Sequence, residues 1–276
     1  MDSEPGLHPF DEVVRRPVDT IRLAEAALQF ARDEYPAIKP VQYLQRLDAL
    51  ARRVDCFDAH GAADRVESLR TVLVEGLGLR GNRVAYADPA NSYLNRVLDT
   101  RRGIPISVAA VWLDIGATLG WPLTPVSLPG HFIIAYEGTE GRVLLDPFNQ
   151  GRELSVEDCG QIVTAMFGGE VSLTREHLEP AGTLGVLERM LGNLYSLYAN
   201  AADWRRTVRV LQRLTAVRPD ALTLWQELGR VSTLAGQLDL GAEALARARR
   251  LALSDSETSA LDALERDLRQ ARLRIN

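Results

Sequence analysis

The sequence is poor in cysteine, lysine and histidine, and each shortage removes a class of chemistry. Cys56 and Cys159 are the only cysteines in 276 residues, far apart and in no CxxC pairing. A disulfide framework and a cysteine zinc site are therefore not expected. The four histidines, His8, His60, His131 and His177, fall in no HExxH or similar cluster, so no metal site is expected. Lys39 is the sole lysine among 32 basic residues, and it sits between helical stretches in no motif. A lysine Schiff base or a phosphate-loop lysine is thereby removed, and no cofactor is expected. No apolar run reaches the ~18 residues of a membrane span. The N-terminal "MDSEPGLHPFDEVVRRP" is acidic and polar, without the layout of a secretory leader. We read a soluble cytoplasmic chain with no membrane partner. The net charge of −5 and the lack of a helix-turn-helix signature argue against nucleic acid.

What is present begins with helices. Residues 18–35 carry Ile21, Leu23, Ala24, Ala27, Leu28 and Ala31 at mostly three-and-four spacing. A second helix starts near Pro40 and buries Val41, Leu44, Leu47, Leu50 and Val54; a third covers about 59–76. The glycines of "GLGLRGNR" end that pattern. Residues 1–80 read as a helical lead-in.

Residues 81–180 differ. "DPANSYLNRVL" supplies turn residues and a short helix over Tyr93–Asp99, capped by Asn91 or Ser92. "PISVAAVWLDIGATLG" predicts a buried helix with Pro105 at its first position and Gly120 near its stop. "TPVSL", "HFIIAYEG" and "RVLLDPF" predict strands, the last two joined at Gly138–Gly141. A helix on an antiparallel sheet is an α+β layout.

Residues 181–276 are helical again and show an internal echo. Leu-Gly pairs stand at 191–192 and 228–229, and each unit continues into a second amphipathic helix. Trp225, Leu228, Gly229 and Pro219 fit parts of the tetratricopeptide pattern, with a period three residues longer than the usual ~34. A generic pair of helical hairpins fits the same spacing.

Three stretches together, "NSYLNRVL", "RRGIPIS" and "LPGHF", carry a family likeness. The chain resembles the bacterial SirB-type proteins, a transglutaminase-like core followed by tetratricopeptide repeats. That resemblance implies a fold related to cysteine transglutaminases and papain-like proteases. In that fold a Cys starts a helix, His lies on the next strand and Asp on the strand after. A helix N-terminus lowers a thiol pKa, His takes the proton, and the acid holds the imidazole tautomer. His131 in "PGHF" matches the His and Asp146 in "LDPF" the Asp.

The thiol position departs from the pattern. Counting back from "LGWP", Gly103-Ile104-Pro105 occupies the slot, so proline replaces the nucleophile. Ser107 is a candidate substitute only if the helix start is re-registered, because two residues turn a helix by about 200°. Cys159 follows Asp146, the wrong order, beside Ser155-x-x-Asp158, which resembles a capping box. Asn91, Tyr93, Arg102, Pro105, Gly130 and Phe148 are candidates to line a binding pocket around His131. A cap and a packed tyrosine explain Asn91 and Tyr93 equally well, and Arg102 can instead be solvated or pair with Asp99 or Asp88. Two functional expectations follow. One is a non-catalytic binding, scaffold or regulatory module whose helical repeats contact a protein partner. The other is a hydrolase or acyltransferase that uses His131 and Asp146, with or without Ser107.

Overall fold

The structure is a computed structural model and describes residues 7–139 and 141–274. Glu140, in the predicted turn between two strands, lies outside those residues, as do the first six, which form part of the N-terminal stretch read above. In chain order the helices are α1 (Pro9–Val14), α2 (Leu23–Ala31), α3 (Pro40–Asp55), α4 (Ala62–Leu69), α5 (Leu94–Thr100) and α6 (Pro105–Thr118). They continue with α7 (Val156–Phe167), α8 (Thr183–Asn200), α9 (Trp204–Val217), α10 (Leu222–Leu234), α11 (Leu238–Leu251) and α12 (Asp255–Leu273). The strands are β1 (Arg80–Gly81), β2 (Arg102–Gly103), β3 (Leu123–Val126), β4 (Ile133–Gly138), β5 (Gly141–Asp146) and β6 (Arg152–Leu154). Four of them form an antiparallel sheet in the order β3-β4-β5-β6, and β1 pairs with β2 in parallel. The class is α+β, with helices before and after the sheet.

The chain forms two compact units. One comprises residues 16–190 and the other residues 1–15 together with 191–276. The helices of the lead-in from residue 16 onward thus belong to the same unit as the sheet. No helix among the described residues is long and apolar enough to cross a membrane.

In the first unit α6 is the central element. Pro105 occupies its first position, where a missing N–H costs nothing and the fixed φ suits a helix. Burial extends almost all round: Val108, Ala109, Ala110, Val111, Trp112 and Ile115 are fully buried. Gly116 lies so close to Leu123 that a Cβ would stand 2.4 Å from its side chain, so the helix seats directly on β3. Asp114 is its buried charged residue, and Arg22 grips it with two hydrogen bonds of 2.9 and 2.7 Å. The sheet buries Val126, Leu128, Ile133, Ala135, Leu144 and Leu154 together with Cys159 of α7.

Local chemistry moves several predicted boundaries. The helix expected over 18–35 is confined to α2, because residues 18–20 close a 3-10 turn and Arg22 is extended, its side chain drawn to Asp114. The third helix starts at Ala62 and widens to π-helical geometry over Arg70–Gly76. The short helix starts at Leu94 behind Tyr93, without a side-chain cap. Asn91 and Ser92, the expected caps, instead form a 3-10 turn capped by Asp88. His131 lies just before β4 rather than on it, and Pro147-Phe148 leave β5 in a 3-10 turn.

In the second unit α1 joins the C-terminal helices, with Asp11 bonded to Arg213 at 2.6 Å. Helices α9 to α12 follow one another through short loops as helical hairpins. Leu245, Ala248, Leu261 and Leu268 form their core, with Trp225 packed against it. Gly229 allows the close approach of α10 and α11, since a Cβ there would meet Leu245 at 2.5 Å.

Candidate functional site

The ladder between β4 and β5 pairs Ile134 with Leu145, which carries Ile133 beside Asp146 at the strand end. His131 reaches the same point from the turn ahead of β4. Gly130 makes that turn at φ +69°, a conformation that favours glycine. The His131 N–H donates to the Leu128 carbonyl at 3.2 Å. The result is a 2.9 Å contact between His131 Nε2 and Asp146 Oδ2, with the His side chain 11% exposed and the Asp side chain 1%.

The turn after β5 completes the carboxylate's surroundings. Asn149 donates its side-chain N–H to Asp146 Oδ2 at 2.7 Å and its backbone N–H to Oδ1 at 3.2 Å. The Gly151 N–H donates to the Asp146 carbonyl at 2.8 Å. Burial pushes the Asp146 carboxyl up, but hydrogen bonds from His131 and Asn149 and the His131 charge outweigh it and hold the group below its ordinary value. Asp146 is therefore ionised at neutral pH and fixes the ring through Nε2. That leaves Nδ1, which no described residue hydrogen-bonds, as the nitrogen open to a ligand.

Phe148 is the apolar wall. Its ring meets the His131 ring edge-on at 6.0 Å and the Tyr86 ring at 6.2 Å, and the Arg83 guanidinium stacks 5.9 Å from it. Arg83 also donates to Asn149 Oδ1. Gly81 of β1 lies against this ring, and a Cβ there would sit 2.4 Å from it. Gly81→Ala is expected to cost about 1–3 kcal/mol, because overpacking forces Phe148 off its seat. A urea titration that leaves stability unchanged would show that the ring is not held there.

Arg189, on the first half of α8, reaches the turn that carries His131. It donates to the His131 carbonyl at 2.7 Å and to Ser127 Oγ, and its guanidinium lies 5.5 Å from the Phe132 ring centre. Burial lowers its pKa, and only the nearby Tyr86 hydroxyl opposes that.

A family model described as the transglutaminase-like superfamily matches residues 41–192, more than half of the chain. The chain belongs to the transglutaminase-like superfamily. It is 37% identical over 212 residues to a UPF0162 protein of Xylella fastidiosa, covering 73% of this chain and 74% of that one. A UPF0162 protein of Pseudomonas aeruginosa is 30% identical over 199 residues, 71% of this chain and 72% of that one. Human F-box only protein 21 is 38% identical over 144 residues, which are 48% of this chain and 21% of that protein.

Within this transglutaminase-like core, the predicted residues fall into two groups. His131, Asp146, Gly130 and Phe148 come together as described. Pro105 stands buried at the head of α6, where the resemblance places the thiol. Ser107 is fully buried and faces away from the pair. Its hydroxyl lies 2.5 Å from the Asn91 carbonyl and accepts the Ile104 N–H at 3.1 Å, so it closes the helix start and makes no contact with His131. Asn91 is also an internal fastener. Its side chain accepts from Asn82 at 2.9 Å and donates to the Ala85 carbonyl at 2.6 Å. The Tyr93 ring packs edge-on against Tyr35 at 5.3 Å. Arg102 donates to the carbonyls of Gly78 and Arg101. None of these last three contacts His131.

Cys159 sits in the first turn of α7, behind the Ser155/Asp158 capping box. Burial and the charges of Asp158 and Asp146 push its thiol up to about 11. Among the described residues no group of three or more His, Cys, Asp or Glu could hold a metal. Sequence reasoning missed Asn149, Arg83, Tyr86 and Arg189. A signal existed only for Asn149, three residues after Asp146 in "DPFN", the spacing of a side-chain-capped turn.

Proposed function

We propose that this chain is a non-catalytic, cytoplasmic binding module, of the SirB type that its sequence resembles. Its transglutaminase-like core has lost the nucleophile and keeps the His131–Asp146 pair for recognition. The observation that carries this reading is the fate of the three positions weighed for the nucleophile, 105, 107 and 159. Pro105 holds the thiol's place, Ser107 is committed to the helix start, and Cys159 is buried with its thiol pushed to about 11. A thiol that stays protonated at neutral pH does not attack an acyl group. The 144-residue match to F-box only protein 21 supports the idea of a module, because the stretch recurs there as 21% of a longer chain. In this reading the C-terminal hairpins act as tetratricopeptide-like repeats and carry a protein partner.

Active-site thiol probes are expected to give no stoichiometric, His131-dependent labelling of Cys56 or Cys159 at pH 7. Amine incorporation into a glutamine donor protein is expected to stay at background. Rapid modification of Cys159, abolished by His131→Ala, would sink the proposal. A second reading is favoured by one observation. A histidine held by an ionised carboxylate, with Nδ1 open, is the arrangement of a general base that activates water. Turnover of an ester or amide substrate that survives Ser107→Ala and disappears in His131→Ala would establish it.

A further inference from the structure

Two arginines beside His131 have no carboxylate partner among the described residues. Arg83 has the Asn149 side-chain oxygen and the Phe148 ring. Arg189 has the Ser127 hydroxyl, the His131 carbonyl and the Phe132 ring. Arg65 and Arg102 likewise bond only neutral groups; what sets Arg83 and Arg189 apart is that both lie next to the His131 turn and its Asn149–Phe148 neighbours. In a chain of net charge −5, two uncompensated guanidinium groups at one place require an explanation.

Arg189 makes the stronger case. It is half-buried, desolvated enough that its pKa falls, and surrounded only by neutral acceptors and rings. A cation withdrawn from water without a counter-charge is costly, and an incoming anion relieves that cost. Each guanidinium presents five N–H donors in a fork suited to oxyanions, and the protein's own acceptors use only part of them. Tyr86, half-exposed, brings a phenol to the same place and is electrostatically coupled to Arg189. The Asp146 carboxylate does not compete for this position, because His131 Nε2 and Asn149 enclose it and its side chain is 1% exposed.

We propose that Arg83, Arg189, Tyr86 and the Nδ1 edge of His131 form an oxyanion-binding site against Phe148, for a ligand bearing a phosphate or carboxylate group. The proposal rests on the recognition reading of the His131–Asp146 pair and names the ligand class for it. The two guanidinium groups hold the anion, and His131, when both ring nitrogens carry a proton, donates Nδ1–H to it while Asp146 holds the ring through Nε2. Phe148 and Tyr86 cover the part of the ligand next to its charged group.

The test is an NMR titration of the full chain, following His131 ring and arginine side-chain signals, with sodium phosphate, sodium acetate and sodium chloride at matched ionic strength. Phosphate or acetate is expected to shift the His131 signals saturably, and chloride is not. Arg83 is exposed, so Arg83→Gln leaves the fold intact and is expected to weaken that binding at least about tenfold, the usual consequence of removing one charge-assisted fork. Arg189→Lys keeps the charge without the fork and is expected to weaken it by several-fold. Preference for phosphate assigns a phosphate ester, and preference for acetate a carboxylate; either supports the site. Absence of a saturable shift, or shifts unchanged in Arg83→Gln, overturns it. Thiol labelling decides the parent reading and anion titration decides this one, so the two fail separately. A reactive Cys159 beside intact phosphate binding would remove only the former.

Discussion

Asp146→Ala is expected to lower the unfolding free energy by about 3–5 kcal/mol, the range for removing one member of a buried charged pair. The substitution strands three donors at once: His131 Nε2, the Asn149 side chain and the Asn149 backbone N–H. Each stranded buried donor costs about 1–3 kcal/mol in its own right, although the costs do not add fully. Asp146→Asn keeps the shape and one acceptor oxygen, so its loss is expected to be about half as large. Urea unfolding followed by tryptophan fluorescence measures both. A loss under about 1 kcal/mol in the alanine variant would mean that the pair is peripheral to the fold.

The same group sets a pH dependence. Its folded pKa lies below the ordinary value of ~3.9 that it takes in the unfolded chain. Its contribution is therefore fully present above about pH 4 and is lost as pH falls further, through the folded value. Wild type is expected to lose more stability than Asp146→Asn on acidification from pH 5 to pH 3. Equal acid slopes in the two proteins would contradict the shift.

Arg22→Ala is expected to cost a similar 3–5 kcal/mol, for a different reason. Asp114 lies in the middle of α6 with its side chain 1% exposed, and Arg22 supplies both of its charge-assisted bonds. The hydrogen bonds that Arg22 donates to Asp114, against the lowering effect of burial, raise the Arg22 pKa, and Asp48 accepts a third at 2.8 Å. Alanine would leave an uncompensated carboxylate inside the helix on which the sheet packs. Arg22→Met combined with Asp114→Leu is expected to recover most of the loss, since apolar replacement of a whole buried pair is often neutral. A double variant no more stable than Arg22→Ala would show that the pair does more than neutralise its own burial.

The sequence alone carried a good part of the site, because that part depends on short-range order. Pro105 was legible as a helix start, since proline's fixed φ and missing N–H suit only that position in a helix. The contact of His131 with Asp146 was legible from strand order: one residue precedes β4, the other ends β5, and an antiparallel return brings them together. The capping box at Ser155 and Asp158 was equally local.

Where side chains point was another matter. Asn91 and Tyr93 read equally well as pocket residues or as a cap and a packed tyrosine. Asn91 instead fastens the loop of residues 82–91 to the start of α6, and Tyr93 packs among the aromatic rings of the lead-in. Both contacts are made with residues that the chain brings near only on folding.

Arg189 is the clearest case. It stands 58 residues after His131 on a helix whose local pattern says only that it is amphipathic, yet it donates to the His131 carbonyl. Arg83 and Tyr86 reach the Phe148 ring, which meets His131 edge-on, from a loop upstream of α6. The sequence determined the order of elements, the proline that opens α6 and the meeting of His131 with Asp146, because backbone propensity and strand connection act over a few residues. Only the tertiary structure decided that Arg83 and Tyr86 meet the Phe148 ring beside His131 and that Arg189 bonds the His131 carbonyl. Their positions depend on how distant elements pack, and no spacing along the chain records that.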